Sequence, residues 1–220
     1  MVKQKKIIVT IGREYGSGGH EVAKRLAASY GIKLYDDEFA RLAVKKTGYH
    51  EDYIKSNEEK SPDFATGALF SGIEFYQPSP YDKIQAEEYK LIREIAGRES
   101  CVIVGRAADY ILRDMRKCSI FLFAPLEDRV RRKMALLTPE EALGMSEAKM
   151  EKKVRQMDRQ RRKFYEYYTD AKWGARDSYD LLINTSQSGI DGAVKIIRTY
   201  IDECRGESMM PDFKLPPDEE

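Results

Sequence analysis

The chain has 220 residues, 42% hydrophobic and 34% charged, which suits one domain with or without an insert and excludes a membrane span, a collagen-like repeat and a fully disordered chain. Its 38 Lys+Arg against 37 Asp+Glu leave a net charge of +1, so global charge gives no argument for nucleic acid as a partner. Three dispersed cysteines, Cys101, Cys118 and Cys204, form no CxxC pair and read as reduced, buried thiols; two histidines, His20 and His50, are too few for a histidine-based metal site.

Ile7 to Ile11 is almost wholly apolar and β-branched, the pattern of a strand buried on both faces of a parallel sheet. The run is too short for the apolar core of a signal peptide, so the expected compartment is the cytoplasm, with no membrane partner. A glycine-rich turn follows at Gly12 to Gly19. Val22, Ala23, Leu26 and Ala27 then recur at helical spacing up to Tyr30, with Gly31 as the stop. Ile32 to Tyr35 reads as a second strand. Asp36 or Asp37 can cap a helix carrying Phe39, Leu42, Ala43 and Val44. Residues 48–80 place Pro62, Pro78 and Pro80 among polar residues and scattered aromatics, and are too long for a plain connection, so they read as an insert. Ser79-Pro80 opens a helix to about Ala96, with Ile84, Leu91, Ile92 and Ile95 inward.

Cys101 to Gly105 is a third buried strand, with Arg106 at its C-terminal end. A short helix is expected over about 108–114, and a fourth strand over Ser119 to Ala124. Pro125 opens a helix over about 126–136. Thr138 to Glu141 has the capping-box pattern, and Ser146 heads a long charged helix. Asp180 to Asn184 is a fifth strand, and Ser188 caps a last helix through Ile201. Residues 206–220 carry three of the eight prolines and a net charge of −4, and read as a disordered tail.

Strand and helix alternate, so the expected fold class is α/β: a five-stranded, mostly parallel sheet with helices on both faces, in one domain over 1–205. Such sheets bind ligands beyond the C-terminal ends of their strands. The glycine turn, Asp36 and Arg106 all follow such ends.

The turn Gly12-Arg13-Glu14-Tyr15-Gly16-Ser17-Gly18-Gly19-His20 joins a buried strand to a helix. Glycines let the backbone aim several N–H groups at one point, and the helix N-terminus adds partial positive charge, so phosphate is the ligand it suits. Three named motifs compete. A dinucleotide fingerprint would need Gly or Ala at Glu21, although Asp36 stands where its ribose acid would fall. A nucleophile elbow would need Gly at Tyr15. A Walker A loop would need Lys at Gly19 and Ser or Thr at His20, so as a Walker A loop this one is degenerate.

Ile11 to Gly19 resembles the opening of the cytidylate kinase-like proteins, relatives of bacterial cytidylate kinase with Gly at the P-loop lysine position. The resemblance continues through Tyr35-Asp36-Asp37-Glu38, Val104-Gly105-Arg106, Asp158-Arg159-Gln160-Arg161 and Tyr179 to Thr185. It implies a P-loop nucleoside monophosphate kinase fold, with an acceptor-binding insert near 48–80 and a helical lid near 146–176.

Residues 149–163 hold eight Lys/Arg and two acids. Guanidinium groups match phosphate oxygens, and a loose phosphoryl-transfer transition state needs positive charge closed over it. With the resemblance, this makes Arg159 and Arg161 the expected catalytic cations, with Asp158 orienting an arginine or a sugar. Arg13, inside the loop, is the candidate for the charge the missing lysine would supply. Gly12, Arg13, Gly16, Ser17, Gly18, Gly19 and His20 are expected at the ATP phosphates, His20 in a structural rather than catalytic role. Asp36, Arg41 and Arg106 are expected on the acceptor side. Mg²⁺ would be held through water and by Ser17 or Asp36, with no dedicated metal site. Phe164, Tyr165, Tyr167, Tyr168 and Trp173 are expected to pack the charged helix onto the core. The leading function is ATP-dependent phosphoryl transfer to a nucleoside monophosphate resembling CMP, or to a similar phosphorylated acceptor. The alternative is a nucleotide-binding sensor with little turnover; weaker still is a nucleic-acid binder using 149–163, against which the balanced charge argues.

Overall fold

A computed structural model describes residues 6–36, 39, 42 and 80–205. The expected helix after Asp36, most of the insert, Arg41 and the tail lie outside the described residues. The elements in chain order are β1 (Ile8–Arg13), α1 (Gly19–Tyr30), β2 (Lys33–Tyr35), α2 (Pro80–Arg98), β3 (Cys101–Val104), α3 (Ala108–Ile111), β4 (Cys118–Phe123), α4 (Leu126–Ala135), α5 (Pro139–Ala142), α6 (Glu147–Tyr168), a 3₁₀ turn (Arg176–Ser178), β5 (Leu181–Asn184) and α7 (Thr185–Arg205).

The five strands form one parallel sheet in the order β2-β3-β1-β4-β5. Strand alternation sorts the core. Val9, Ile11, Val102 and Val104 meet Val22 and Leu26 of α1 and Ile197 of α7 on one face. Ile8, Cys101 and Ile103 meet Ile84, Ile92 and Ile95 of α2 on the other. Both faces are therefore buried under helices, which is why these strands are apolar at nearly every position. Among the described residues no helix is long and apolar enough to cross a membrane.

Four local features depart from expectation. Strand β1 runs on through Gly12 and Arg13, which pair with Phe121 and Leu122 of β4. Gly12 is thus a strand residue, and its missing side chain makes room for an aromatic: a β-carbon there would stand 2.8 Å from the Phe121 ring. Helix α3 is a single turn. Helix α7 starts at Thr185 rather than after Ser188, and breaks at Gly189 (φ 65°, ψ 174°). Asn184 Oδ1 accepts from the Ser186 N–H at 3.0 Å, while the Ser188 hydroxyl donates to the Asn184 carbonyl at 3.2 Å. Cys101 and Cys118 are buried as expected, burial pushing the Cys101 thiol up to about 12, but Cys204 is exposed. The helix starts at Thr138 and Ser146 do form their expected caps.

Candidate active site

The glycine loop leaves β1 at its C-terminal end and feeds α1. Gly16 (φ 85°) and Gly18 (φ 81°) adopt left-handed backbone that favours glycine. Gly16 also lies close on α4: a β-carbon there would be 2.9 Å from the Arg129 carbonyl oxygen. The loop is fixed by side chains from two helices. Arg129 of α4, 7% exposed, donates from Nε to the Ala124 carbonyl at 2.9 Å and from Nη1 to the Tyr15 carbonyl at 3.2 Å. It also pairs with Asp158 of α6, and with Glu14 at 3.3 Å. Asp158 in turn accepts from the Tyr15 N–H at 2.7 Å, and Glu14 from the Ala124 N–H at 3.1 Å. Burial raises the Glu14 carboxyl above the usual range, opposed by the Ala124 bond and by Arg129. Arg132 donates to the Gly16 carbonyl at 2.8 Å.

Beside the loop lies a cleft over the C-terminal ends of β1, β2 and β3. Its polar lining comes from Arg13, Asp36, Arg106, Asp109 and Arg161, with Tyr179 and Trp173 on the β4–β5 side. Arg161 of α6 donates to the Arg13 carbonyl at 3.2 Å and sits over the Tyr15 ring at 5.5 Å. Asp36 contacts His20 Nδ1 at 2.6 Å. After β3, Gly105, Arg106 and Ala107 all have positive φ (72°, 57° and 51°), and two of the three are not glycine. Such strain collects at functional sites. The turn sends Arg106 back toward α2, where it pairs with buried Glu88 at 3.5 Å. The Tyr165 hydroxyl donates to Asp109 at 2.5 Å. Burial raises Asp109, and it also pushes Tyr165 and Tyr179 upward, so all three favour their protonated forms.

Past Arg106 a second cavity of about 660 Å³ opens, walled by Tyr89, Tyr110, Phe164 and Tyr168 and sharing Arg106, Ala107 and Phe164 with the first. A cationic cleft over strand ends thus adjoins a roomy aromatic one, an arrangement for a polyanion beside a second, flatter ligand.

The chain matches the cytidylate kinase-like family over residues 8–187. It belongs to that family. The cytidylate kinase of Thermococcus sibiricus is 26% identical over 204 residues, 91% of each chain. That of Desulfurococcus amylolyticus is 29% identical over 193 residues, 87% of this chain and 91% of that protein. The crystal structure of an uncharacterized protein from Eubacterium ventriosum superimposes with a TM-score of 0.64 at 30% identity, covering 90% of this chain and 99% of that one. Shikimate kinase from Bacteroides thetaiotaomicron, at 12% identity and a TM-score of 0.54 over 89% and 98% of the two chains, shares the fold.

The residues expected from sequence do not all meet at the cleft. Arg13, Gly12, Asp36, Arg106 and Arg161 line it. Ser17 does not fit its expected role. It is fully buried, its hydroxyl donates to the Glu14 carbonyl at 2.8 Å, and its own carbonyl accepts from Thr185 Oγ1 at 2.7 Å. It braces the loop from inside. Arg159 is exposed on α6 and absent from the cleft wall. Asp158 orients an arginine, but that arginine is Arg129 under the loop. His20 is an exposed partner of Asp36. Phe164 and Tyr165 pack against Ala107, with Tyr168 and Trp173 beside them, while Tyr167 is exposed.

Sequence reasoning missed Arg129, Glu88 and Asp109. The first two carried a signal. Arg129 lies three residues after Leu126, and Glu88 lies four residues from both Ile84 and Ile92, so each is a charge beside apolar residues on its helix. Asp109 carried none, because a one-turn helix has no period to read.

Proposed function

We propose that this chain transfers a phosphoryl group from ATP to a nucleoside monophosphate of the CMP type, or to a similar small phosphorylated acceptor, in the cytoplasm. The reading is carried by one observation: a cleft lined by Arg13, Arg106 and Arg161 lies at the C-terminal strand ends of one parallel sheet, on the edge where the glycine loop leads from β1 into α1. The family membership and the cytidylate kinases among its relatives support it.

In this reading the loop amides and the helix N-terminus hold the donor phosphates. Arg161 stabilises negative charge on the group in transit, because it reaches the cleft from α6 beside Arg13. Arg106 faces both cavities and meets the acceptor phosphate, its guanidinium aimed by Glu88. The aromatic cavity takes the acceptor base by stacking. Phosphoryl transfer needs positioning and charge more than a strong base, so no histidine base is required.

The three arginines of the cleft offer charge to phosphate oxygens, although the cleft itself encloses only about 30 Å³, and the residues fit a magnesium ion sparingly. Asp36 is a carboxylate on the cleft wall, Ser17 is turned away, and among the described residues no three His, Cys, Asp or Glu side chains cluster as a cage. A magnesium ion, which neutralises phosphate charge when bound, would meet this chain at Asp36 through water.

The test is ADP release from Mg·ATP against CMP, dCMP, UMP, AMP, GMP and a blank, with mass spectrometry of the products. The expected result is one new nucleoside diphosphate. ATP binding with no product from any acceptor would favour the second reading, a nucleotide sensor. That reading draws on Gly19 in place of the lysine and on the inward Ser17 hydroxyl.

A further inference from the structure

A glycine in the first turn of a helix, with ordinary helical backbone, is a puzzle. Glycine is among the weakest helix formers. Gly16 and Gly18 have positive φ to justify them, but Gly19 does not. Its reason is space. A β-carbon at Gly19 would stand 2.7 Å from Arg13 Cβ and 2.9 Å from Arg13 Cγ. These are the atoms nearest the Arg13 backbone, and that backbone is pinned in β1 by its pairing with Leu122. They cannot move aside as a side-chain tip could. Any side chain at position 19 and the arginine at position 13 therefore compete for one volume.

The arginine then runs along the cleft to the β3 turn. A β-carbon at Gly105 would stand 2.2 Å from Arg13 Nη1 and 3.1 Å from its Cζ. Gly105 is thus the second place where an absent side chain makes room for Arg13. Arg161 fixes the near end of the same residue through its carbonyl.

The Walker A pattern G-x-x-x-x-G-K explains why these two positions are linked. With Gly18-Gly19 aligned on its final G-K, its first glycine falls on Arg13. Relative to that pattern the chain carries glycine where lysine belongs and a cation where glycine belongs. We propose that this is an exchange across the loop: Arg13 takes over the charge of the phosphate-binding lysine, Gly19 being the clearance for its stem beside the loop and Gly105 the clearance for its guanidinium in the cleft between the loop and the β3 turn. The inference rests on the reading that the loop carries a polyphosphate. A guanidinium in that place offers a planar fork to two phosphate oxygens, where lysine offers a point charge.

The test moves the charge back. Arg13→Ala, Gly19→Lys and the double variant Arg13→Gly/Gly19→Lys are compared with the parent. Mg·ATP and inorganic tripolyphosphate are titrated by calorimetry, and thermal unfolding confirms that each variant folds. Arg13→Ala is expected to weaken both ligands roughly 10- to 100-fold, the loss of one charge-assisted contact. Gly19→Lys alone is expected to weaken them as well, because the new stem collides with Arg13. The double variant restores the lysine pattern and is expected to recover to within about three-fold of the parent. Arg13→Met, which keeps much of the stem without the charge, should behave as Arg13→Ala. Unchanged binding in folded Arg13→Ala overturns the inference, and so does a folded double variant no better than Arg13→Ala. A parent that binds neither ligand overturns the phosphate-loop reading itself, which separates the two failures.

Discussion

The glycine loop and the left-handed turn after β3 flank the same cleft, and opposite means hold them. On the loop side, Arg129, Asp158, Glu14, Arg132 and Thr185 close hydrogen bonds onto the backbone of residues 15–17 and Ala124, and Gly16 and Gly18 take the positive φ angles. On the β3 side, two residues that are not glycine take positive φ, and an acid buried at Asp109 is pushed toward its neutral form. The loop side is built without strain, and its Glu14, Tyr15 and Ser17 N–H groups are bonded within the protein, so its shape is set in advance of any ligand. The β3 side holds strain and a poorly solvated acid, the state expected of a wall that ligand binding completes.

The largest effect should come from removing the cation that the loop side shares. Arg129→Met leaves Glu14 and Asp158 partly buried without it, and breaking a buried pair this way costs about 3–5 kcal/mol. Urea unfolding should show that loss, and at about 2–4 °C per kcal/mol the melting temperature should fall by roughly 6–20 °C. A loss below about 1 kcal/mol would mean that the network decorates the loop rather than holding it.

On the β3 side, neighbouring substitutions should have opposite signs. Gly105→Ala puts a side chain into left-handed backbone and onto the Arg13 guanidinium, so it should cost about 1–2 kcal/mol and lower Mg·ATP affinity as well. Ala107→Gly removes strain of that size against a smaller entropic cost, so it should be neutral or stabilising by up to about 1 kcal/mol. Two destabilised variants in the same unfolding assay would remove strain from this side of the comparison.

A smaller effect separates the two sides by pH. The Asp109 carboxyl binds its proton at higher pH in the folded chain than in the unfolded one. Its contribution to stability is therefore full below the ordinary carboxylate value of about 4, and is lost as pH rises through the raised native value. Asp109→Asn keeps an acceptor for the Tyr165 hydroxyl and has no such slope. The stability of Asp109→Asn relative to the parent should widen across that interval and then level. Glu14, raised in the same direction, remains in both proteins and cancels. Parallel profiles would show that Asp109 is not held against its charge.

The sheet was legible because burial on both faces leaves little choice of residue: Ile7 to Ile11, Cys101 to Gly105 and Ser119 to Ala124 are apolar at nearly every position, and their parallel order follows from the helices between them. The glycine loop was legible because Gly16 and Gly18 are demanded by backbone conformation. What was not legible is where side chains turn once the chain folds. Ser17 looks like a phosphate-facing hydroxyl in sequence, yet Thr185, far along the chain, takes its carbonyl and draws it inside. Gly12 looks like part of the turn, yet β4 extends the ladder to claim it.

The smallest predicted effect tests that last point on one helix. Arg159 and Arg161 are two residues apart, so on α6 they point to different sides. Arg161 reaches the Arg13 carbonyl and the cleft, whereas Arg159 is exposed and outside it. Arg161→Ala should lower kcat about ten-fold or more, because charge near the transferred group counts for most when water is excluded. Arg159→Ala should leave turnover within about two-fold and stability within about 0.5 kcal/mol, as expected of a surface substitution. If Arg159→Ala cost as much turnover as Arg161→Ala, the working face of α6 would be wider than the cleft wall, and the charge run read in sequence would be the better guide to the site.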